Sequence, residues 1–340
     1  DPRSILLLTF TRRAAEEMLR RASLLIDNRC DKVAGGTFHS FANSVLRQYG
    51  GKLDLSSAFT IMDRSDSQDM VQHLRVEMGL NTKEKRFPRK QTVAEIYSMA
   101  LNKEWTIPDL IEREYPHLND SLEELLALYE HYVDYKKQRS LLDYDDLLIQ
   151  LKELLENHEE VRTRLSSRYR FIMVDEYQDT NRLQSRIVRF LAATHDNVMV
   201  VGDDAQSIYS FRGANFRNIM DFPKDFPGAK LVTLEENYRS TQPILSLTNE
   251  VIRKAQERYE KNLFTRKEQG DTPLLVRAEN EQIQSRFVCQ KVLELREEGV
   301  PLWDMVVLFR SSFHSFDLEI ELARHNIPFV KRGGFQFMES

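Results

Sequence analysis

The sequence predicts an α/β fold built on a parallel sheet and interrupted by an all-helical insertion. Three observations carry this. Largely apolar runs of strand length recur at 5–10, 171–174 and 198–201, and such runs suit strands buried on both faces of a parallel sheet. Each run ends in a cluster of polar residues, and in open α/β sheets ligands sit beyond the carboxyl ends of the strands. Between residues 45 and 168, strand patterns give way to helical spacing with sparse Pro and Gly.

Composition sets the bounds on function. A chain of 340 residues exceeds one ordinary core, so two or three domains are expected. With 41% hydrophobic and 30% charged residues it reads as soluble and globular. A net charge of −5 excludes a globally basic nucleic-acid binder, so any such surface is local. The first fifty residues offer one, because Arg3, Arg12, Arg13, Arg20, Arg21, Arg29, Lys32 and Arg47 outnumber the acids there. An ordinary solvated face is the alternative. Cys30 and Cys289 have no metal-site spacing, which points to a reducing, cytoplasmic setting. Neither a signal peptide nor a membrane-length apolar run is present, so no membrane partner is expected. Asp1 leads directly into a strand, the expected look of a fragment of a longer protein.

The strand at 5–10 runs into Thr9, Phe10, Thr11, Arg12 and Arg13 and then into a helix with Ala14, Ala15, Met18, Leu19 and Ala22 on one side. Phe10 beside two arginines suits either a core contact or a base stack with cations on phosphate. A short strand-like stretch ends in the loop Gly35, Gly36, Thr37, Phe38, His39, where Thr37 and His39 can donate to phosphate. Helical patterns follow at 67–78, 93–101, 122–135 and 144–155, with a basic loop at 83–90. Asp143, Asp145 and Asp146 suit a metal, but as acids in a first turn they are expected to cap the last of these helices.

The organising stretch is FIMVDEYQDTN at 171–181. Its strand delivers Asp175 and Glu176 where the sheet ends, and buried carboxylates there call for a cation or proton traffic. The expected division is Asp175 on a hard cation such as Mg²⁺ and Glu176 on a water. A solvated acidic turn is the bland alternative. After the strand at 198–201, the loop GDDAQSIYSFRGA combines the amide of Gln206 with Tyr209, Phe211 and Arg212. A further strand is expected at 231–234, leading to Tyr238 and Arg239, the latter a planar donor suited to phosphate. From about 236 a second α/β unit is expected, with strands at 274–277, 305–309 and 329–331 and a helix at 282–295.

TFTRRAAEEM, GGTFHSFA, VDEYQDTN, VVGDDAQSIYSFRGA and LEENYRS occur in this order, and together they closely resemble superfamily 1 DNA helicases of the UvrD/PcrA/Rep family. The resemblance implies RecA-like motor domains of the P-loop NTPase fold. Residues 1–44 and 169–235 would form the first motor, 45–168 its helical insertion, and 236–340 the start of the second. It implies ATP and Mg²⁺ as cofactors, with Asp175 on the metal, Glu176 as catalytic base and Gln206 sensing the γ-phosphate. Arg239 would be an arginine finger, with Tyr238 near adenine. Thr9, Phe10, Arg12, Thr37, His39, Tyr209, Phe211 and Arg212 would line a single-stranded DNA track. The implied activity is ATP-dependent 3′–5′ translocation and unwinding at single-strand/duplex junctions, in DNA repair, replication or recombination. A motor subunit of a helicase–nuclease and a non-hydrolysing DNA-binding fragment are the alternatives. Phe211 stands where close relatives carry tryptophan, and Arg12 where many carry asparagine. A phosphate-cradling Gly-x-x-x-x-Gly-Lys-Ser/Thr loop is expected upstream of residue 5. The one Gly-Lys pair, Gly51-Lys52, is followed by Leu53 and lacks the first glycine, so the 340 residues alone are expected not to hydrolyse ATP.

Overall fold

The computed structural model describes residues 1–25, 32–80, 87–268 and 270–332, with the backbone but not the side chains of Leu25 and Arg212. Arg29, Cys30, and the 83–86 part of the basic loop lie outside the described residues. The chain divides into two compact units, Asp1–Glu235 with Asn249–Asn262, and Glu236–Thr248 with Leu263–Ser340.

In the first unit, β1 (Ile5–Thr9), α1 (Arg12–Leu25), β2 (Ala34–Thr37) and α2 (Phe38–Tyr49) come first. After β3 (Thr60–Ile61) follow α3 (Arg64–Glu77), α4 (Lys90–Lys103), α5 (Ile107–Glu114) and α6 (Leu122–Gln138). Then come β4 (Leu141–Leu142), α7 (Tyr144–Asn157), α8 (Glu159–Arg168), β5 (Phe171–Val174), α9 (Arg182–Leu191), β6 (Val198–Val200) and α10 (Arg217–Asp225). Four strands form one all-parallel sheet in the order β2-β1-β5-β6. Leu8 pairs with Gly36 on one side and with Val174 on the other. The apolar runs therefore sit side by side, and every crossover between them is a helical connection, as parallel pairing requires.

Leu6, Leu8, Ile172 and Val174 are almost wholly buried. They share one core with Phe41 and Leu46 of α2, Leu151 and Leu155 of α7, Leu165 of α8, Ile187 and Leu191 of α9 and Phe222 of α10. A second core lies among the helices α3 to α6, around Val71, Ile96, Leu110, Ile111, Leu125 and Leu128. Among the described residues the insertion carries one element besides helices, a two-residue parallel ladder between β3 and β4. Two helices of the insertion are too short or too sparsely apolar to read as a sustained stripe. Helix α8 buries only Val161 and Leu165 among its apolar residues, one turn apart, and α5 is two turns long behind the cap of Thr106, which accepts from the Asp109 N–H. The acids before α7 do cap it: Asp146 N–H donates to Asp143 Oδ1 (2.9 Å) and Asp143 N–H to Asp146 Oδ2 (2.8 Å).

In the second unit, described by itself, the helices are α11 (Gln242–Ile252, through which the unit boundary runs), α12 (Glu281–Glu297) and α13 (Phe316–Arg324). Cys289, Leu318, Leu322 and Ile327 form its small core. The strands expected at 274–277, 305–309 and 329–331 in this unit, and at 231–234 at the end of the first, are not formed. These segments run without a ladder among the described residues, and Leu234, Leu275, Leu308 and Val330 are largely exposed. The one bridge there joins Glu236 to Phe264. An apolar run specifies burial, but a strand exists only when a neighbour takes its N–H and C=O groups, and sequence periodicity does not name that neighbour.

Candidate nucleotide and nucleic-acid site

The candidate residues of the first unit gather where β1, β5 and β6 end side by side. Leu8 C=O accepts from Asp175 N–H (2.9 Å), which fixes the first acid against the neighbouring strand. Asp175 is half-buried, and among the described residues its carboxylate takes no hydrogen bond or ion pair. Glu176 is exposed and sits in the left-handed region (φ 51, ψ 44), a conformation that costs a side-chain-bearing residue roughly 1–2 kcal/mol. A short 3₁₀ turn over Tyr177–Asp179 follows at once. The left-handed residue breaks the strand direction and sends the chain into that turn directly after the strand end that carries Asp175.

Gln178 joins this turn to the loop after β6. Its Nε2 donates to Glu176 Oε2 (2.8 Å), while its Oε1 accepts from Asp203 N–H (3.0 Å). Gly202 permits the approach, because a Cβ there would stand 2.6 Å from Gln178 Oε1 and 2.8 Å from Ile219 Cδ1. Exposed Gln206 donates through Nε2 to Asp203 Oδ2 (2.8 Å). Lys261 donates to Asp203 Oδ1 and, at 2.7 Å, to Asp204 Oδ1, and Tyr259 N–H donates to Asp204 Oδ2 (3.1 Å). Burial pushes the Asp203 carboxyl up, but hydrogen bonds from Lys261 and Gln206 outweigh it and hold it below the usual range. Asp179 goes the other way: burial, then the Glu176 charge, push it up to about 6.

A row of three rings runs along the same sheet edge. Phe10 stacks on Tyr209 at 5.7 Å between centroids, and Tyr209 meets Phe211 at 6.0 Å. Phe211 is 55% exposed and Phe10 and Tyr209 are half-buried, so the row keeps ring surface facing outwards. Arg12 is exposed at the start of α1. Thr9 is fully buried with an unpartnered hydroxyl, so it presents no surface to a strand in this structure. Thr37 caps α2, its Oγ1 accepting from Ser40 N–H (3.2 Å). The stretch expected as a loop at 35–40 is thus the end of β2 and the first turn of α2. His39 lies in that turn, edge-on to Tyr144 at 5.7 Å, and burial pushes its imidazole down, so it is neutral at physiological pH. Tyr238 and Arg239 belong to the second unit, where both side chains are exposed.

Among the described residues no group of three or more His, Cys, Asp or Glu converges on a metal position. A single hard carboxylate such as Asp175 nonetheless fits Mg²⁺, which keeps several waters and takes phosphate oxygens beside one or two carboxylates. Lys261, Gln178 and Asp203 went unnoticed in the sequence. Lys261 lies 57 residues or more from its partners, and Gln178 reads as ordinary turn polarity, so only the fold shows that both organise the loop.

Comparisons with known proteins identify the family. Residues 1–227 match the UvrD/REP helicase N-terminal domain, and residues 232–340 match the UvrD-like helicase C-terminal domain. The ATP-dependent DNA helicase PcrA of Leuconostoc citreum is 36% identical over 99% of this chain and 45% of that protein. The proteins of the same name from Staphylococcus epidermidis and Staphylococcus aureus are 34% and 32% identical over the whole chain, each covered to 46%. The chain therefore spans about half the length of these relatives. No helix among the described residues is long and apolar enough to cross a membrane. Two adjacent family matches that together take in nearly every residue leave one assignment: the chain belongs to the UvrD/REP-like DNA helicase family.

Proposed function

We propose that the intact protein hydrolyses ATP in response to single-stranded DNA, moves along that strand in the 3′–5′ direction and unwinds duplex at single-strand/duplex junctions. One observation carries the reading: the ring row Phe10–Tyr209–Phe211, with Phe211 exposed, lies at the same strand ends as the Asp175–Glu176 turn. Stacked aromatics hold bases without reading sequence, which is what a translocating motor needs. Asp175 would hold Mg²⁺, which supplies charge neutralisation on the phosphates. Glu176 accepts the proton of the attacking water, and Gln206, set by Asp203, contacts the terminal phosphate. Arg239 is the transition-state arginine and Tyr238 the adenine-side aromatic. Arg12, Thr37, His39 and Arg212 add backbone contacts along the strand. On this reading residues 1–44 and 169–235 are the first motor, 45–168 its helical insertion and 236–340 the beginning of the second.

Phe211→Ala tests the track. In the full-length protein it should weaken oligo-dT binding by about 1–3 kcal/mol, the worth of one base–aromatic stack. The melting temperature should hold, because the ring is largely exposed. A destabilised variant that binds normally when folded would remove Phe211 from the track.

A further inference from the structure

The catalytic turn and the stacking loop meet a third element that no motif above contains, the end of α4. Asn102 Nδ2 donates to Asp145 Oδ1 on α7 (2.7 Å) and to the C=O and hydroxyl of Ser98 one turn back (2.8 and 3.2 Å). Its Oδ1 accepts from Asn181 Nδ2 (2.5 Å). Every polar atom of the Asn102 amide is thus committed, three contacts holding it to the helices and one reaching the turn. Asn181 closes the segment that begins at Glu176, and buried Asn218 clamps it, donating through Nδ2 to the C=O groups of Asn181 (2.8 Å) and Thr180 (3.0 Å).

The stacking loop touches the same side chain. Gly213, two residues after Phe211, adopts φ +87, and a Cβ there would lie 2.8 Å from Asn102 Cβ. Glycine is required twice over, for the left-handed backbone and for the close approach. Beyond it, Asn215 N–H donates to Thr180 C=O (2.9 Å), so the loop rejoins the turn that Asn102 holds.

The geometry points to Asn102 as a positioning residue that couples the base-stacking loop to the hydrolytic turn, a role that rests on the function proposed above. A base that shifts the Tyr209–Phe211 loop presses Gly213 against Asn102. That side chain cannot yield without disturbing its bond to Asn181, which lies five residues after Glu176 at the end of the same turn segment. Coupling of this kind needs two sites biasing one shared element, and the Asn102 side chain is that element, met at Cβ by Gly213 and at Oδ1 by Asn181.

The test is steady-state ATP hydrolysis by the full-length protein, with and without saturating oligo-dT, beside a melting curve. Asn102→Ala should keep the DNA-free rate close to wild type yet lose about tenfold of the stimulation by DNA, the usual size of a coupling between sites. Asn102→Asp, which sets two carboxylates together, should lose at least as much. The swap Asn102→Asp with Asp145→Asn restores the donor–acceptor pair to α7 and removes the like charges, but not the bond to Ser98 C=O, so it should recover part of the stimulation that Asn102→Asp loses. Variants that lose both rates in proportion, or a folded Asn102→Ala with full stimulation, overturn the coupling role. A wild-type protein that DNA does not stimulate overturns instead the function on which it rests.

Discussion

Replacing Glu176 with glutamine should lower ATP turnover by the full-length protein by about 10²–10⁴-fold, the contribution of a positioned general base. The substitution is nearly isosteric. Gln178 Nε2, which donates to Glu176 Oε2 at 2.8 Å, can donate equally to the new amide oxygen, so the left-handed turn keeps its anchor. Asp175 is untouched, and so is the hydrogen bond that ties its N–H to Leu8. What disappears is the ability to take a proton from water. Nucleotide binding should therefore survive while turnover falls, which separates a lost catalytic group from a damaged site. A turnover within roughly tenfold of wild type would remove Glu176 from the base role.

Lys136→Met should destabilise the protein by about 3–5 kcal/mol at neutral pH, the cost of stranding buried charges. Lys136 is buried and donates to Asp143 Oδ2 and Asp146 Oδ2, both at 2.6 Å, and Tyr132 OH donates to Asp143 Oδ2 at 2.9 Å. Burial alone would push the Asp143 carboxyl up, yet the lysine charge and its hydrogen bond hold it below the usual range. A depressed carboxylate stabilises the fold above its unfolded pKa, and that contribution is lost as pH falls. Without Lys136 the sign reverses: burial raises Asp143, so the fold then pays an increasing penalty as pH climbs past the ordinary carboxylate range. Burial already raises Asp146, to about 6, so it adds to the same trend. The gap between variant and wild type should accordingly narrow from pH 7.5 to pH 5 in urea unfolding. An equal gap at both would show that packing, rather than charge, makes Lys136 necessary.

The parallel sheet was legible because its strands are continuous apolar runs that end in polar clusters, and β1, β5 and β6 fall on those runs. The long helices α3, α4, α6 and α7 were legible for the corresponding reason, a sustained apolar stripe. Helix α8 was not, since two buried apolar residues make no stripe. The apolar runs at 274–277 and 305–309 look like β1 in sequence, but pairing is a property of two segments and one segment does not disclose it. In the candidate site, Asp175 and Glu176 declared themselves by position, and the aromatics by their company in one loop. Asn102, Gln178 and Lys261 did not, because each acts through a partner distant in sequence or through a backbone group. The buried state of Thr9 was equally hidden: a polar residue closing an apolar strand reads as exposed until the crossing of its neighbours is known.

The rings and the acids are held to be parts of one machine, and the ATP hydrolysis rate of the full-length protein, measured across a titration with oligo-dT, tests that most directly. The rate should rise at least about tenfold, a coupling of ordinary size between two binding sites, and half the rise should occur at the DNA concentration that half-saturates binding. A protein that binds oligo-dT but hydrolyses ATP at the same rate throughout the titration would contradict it.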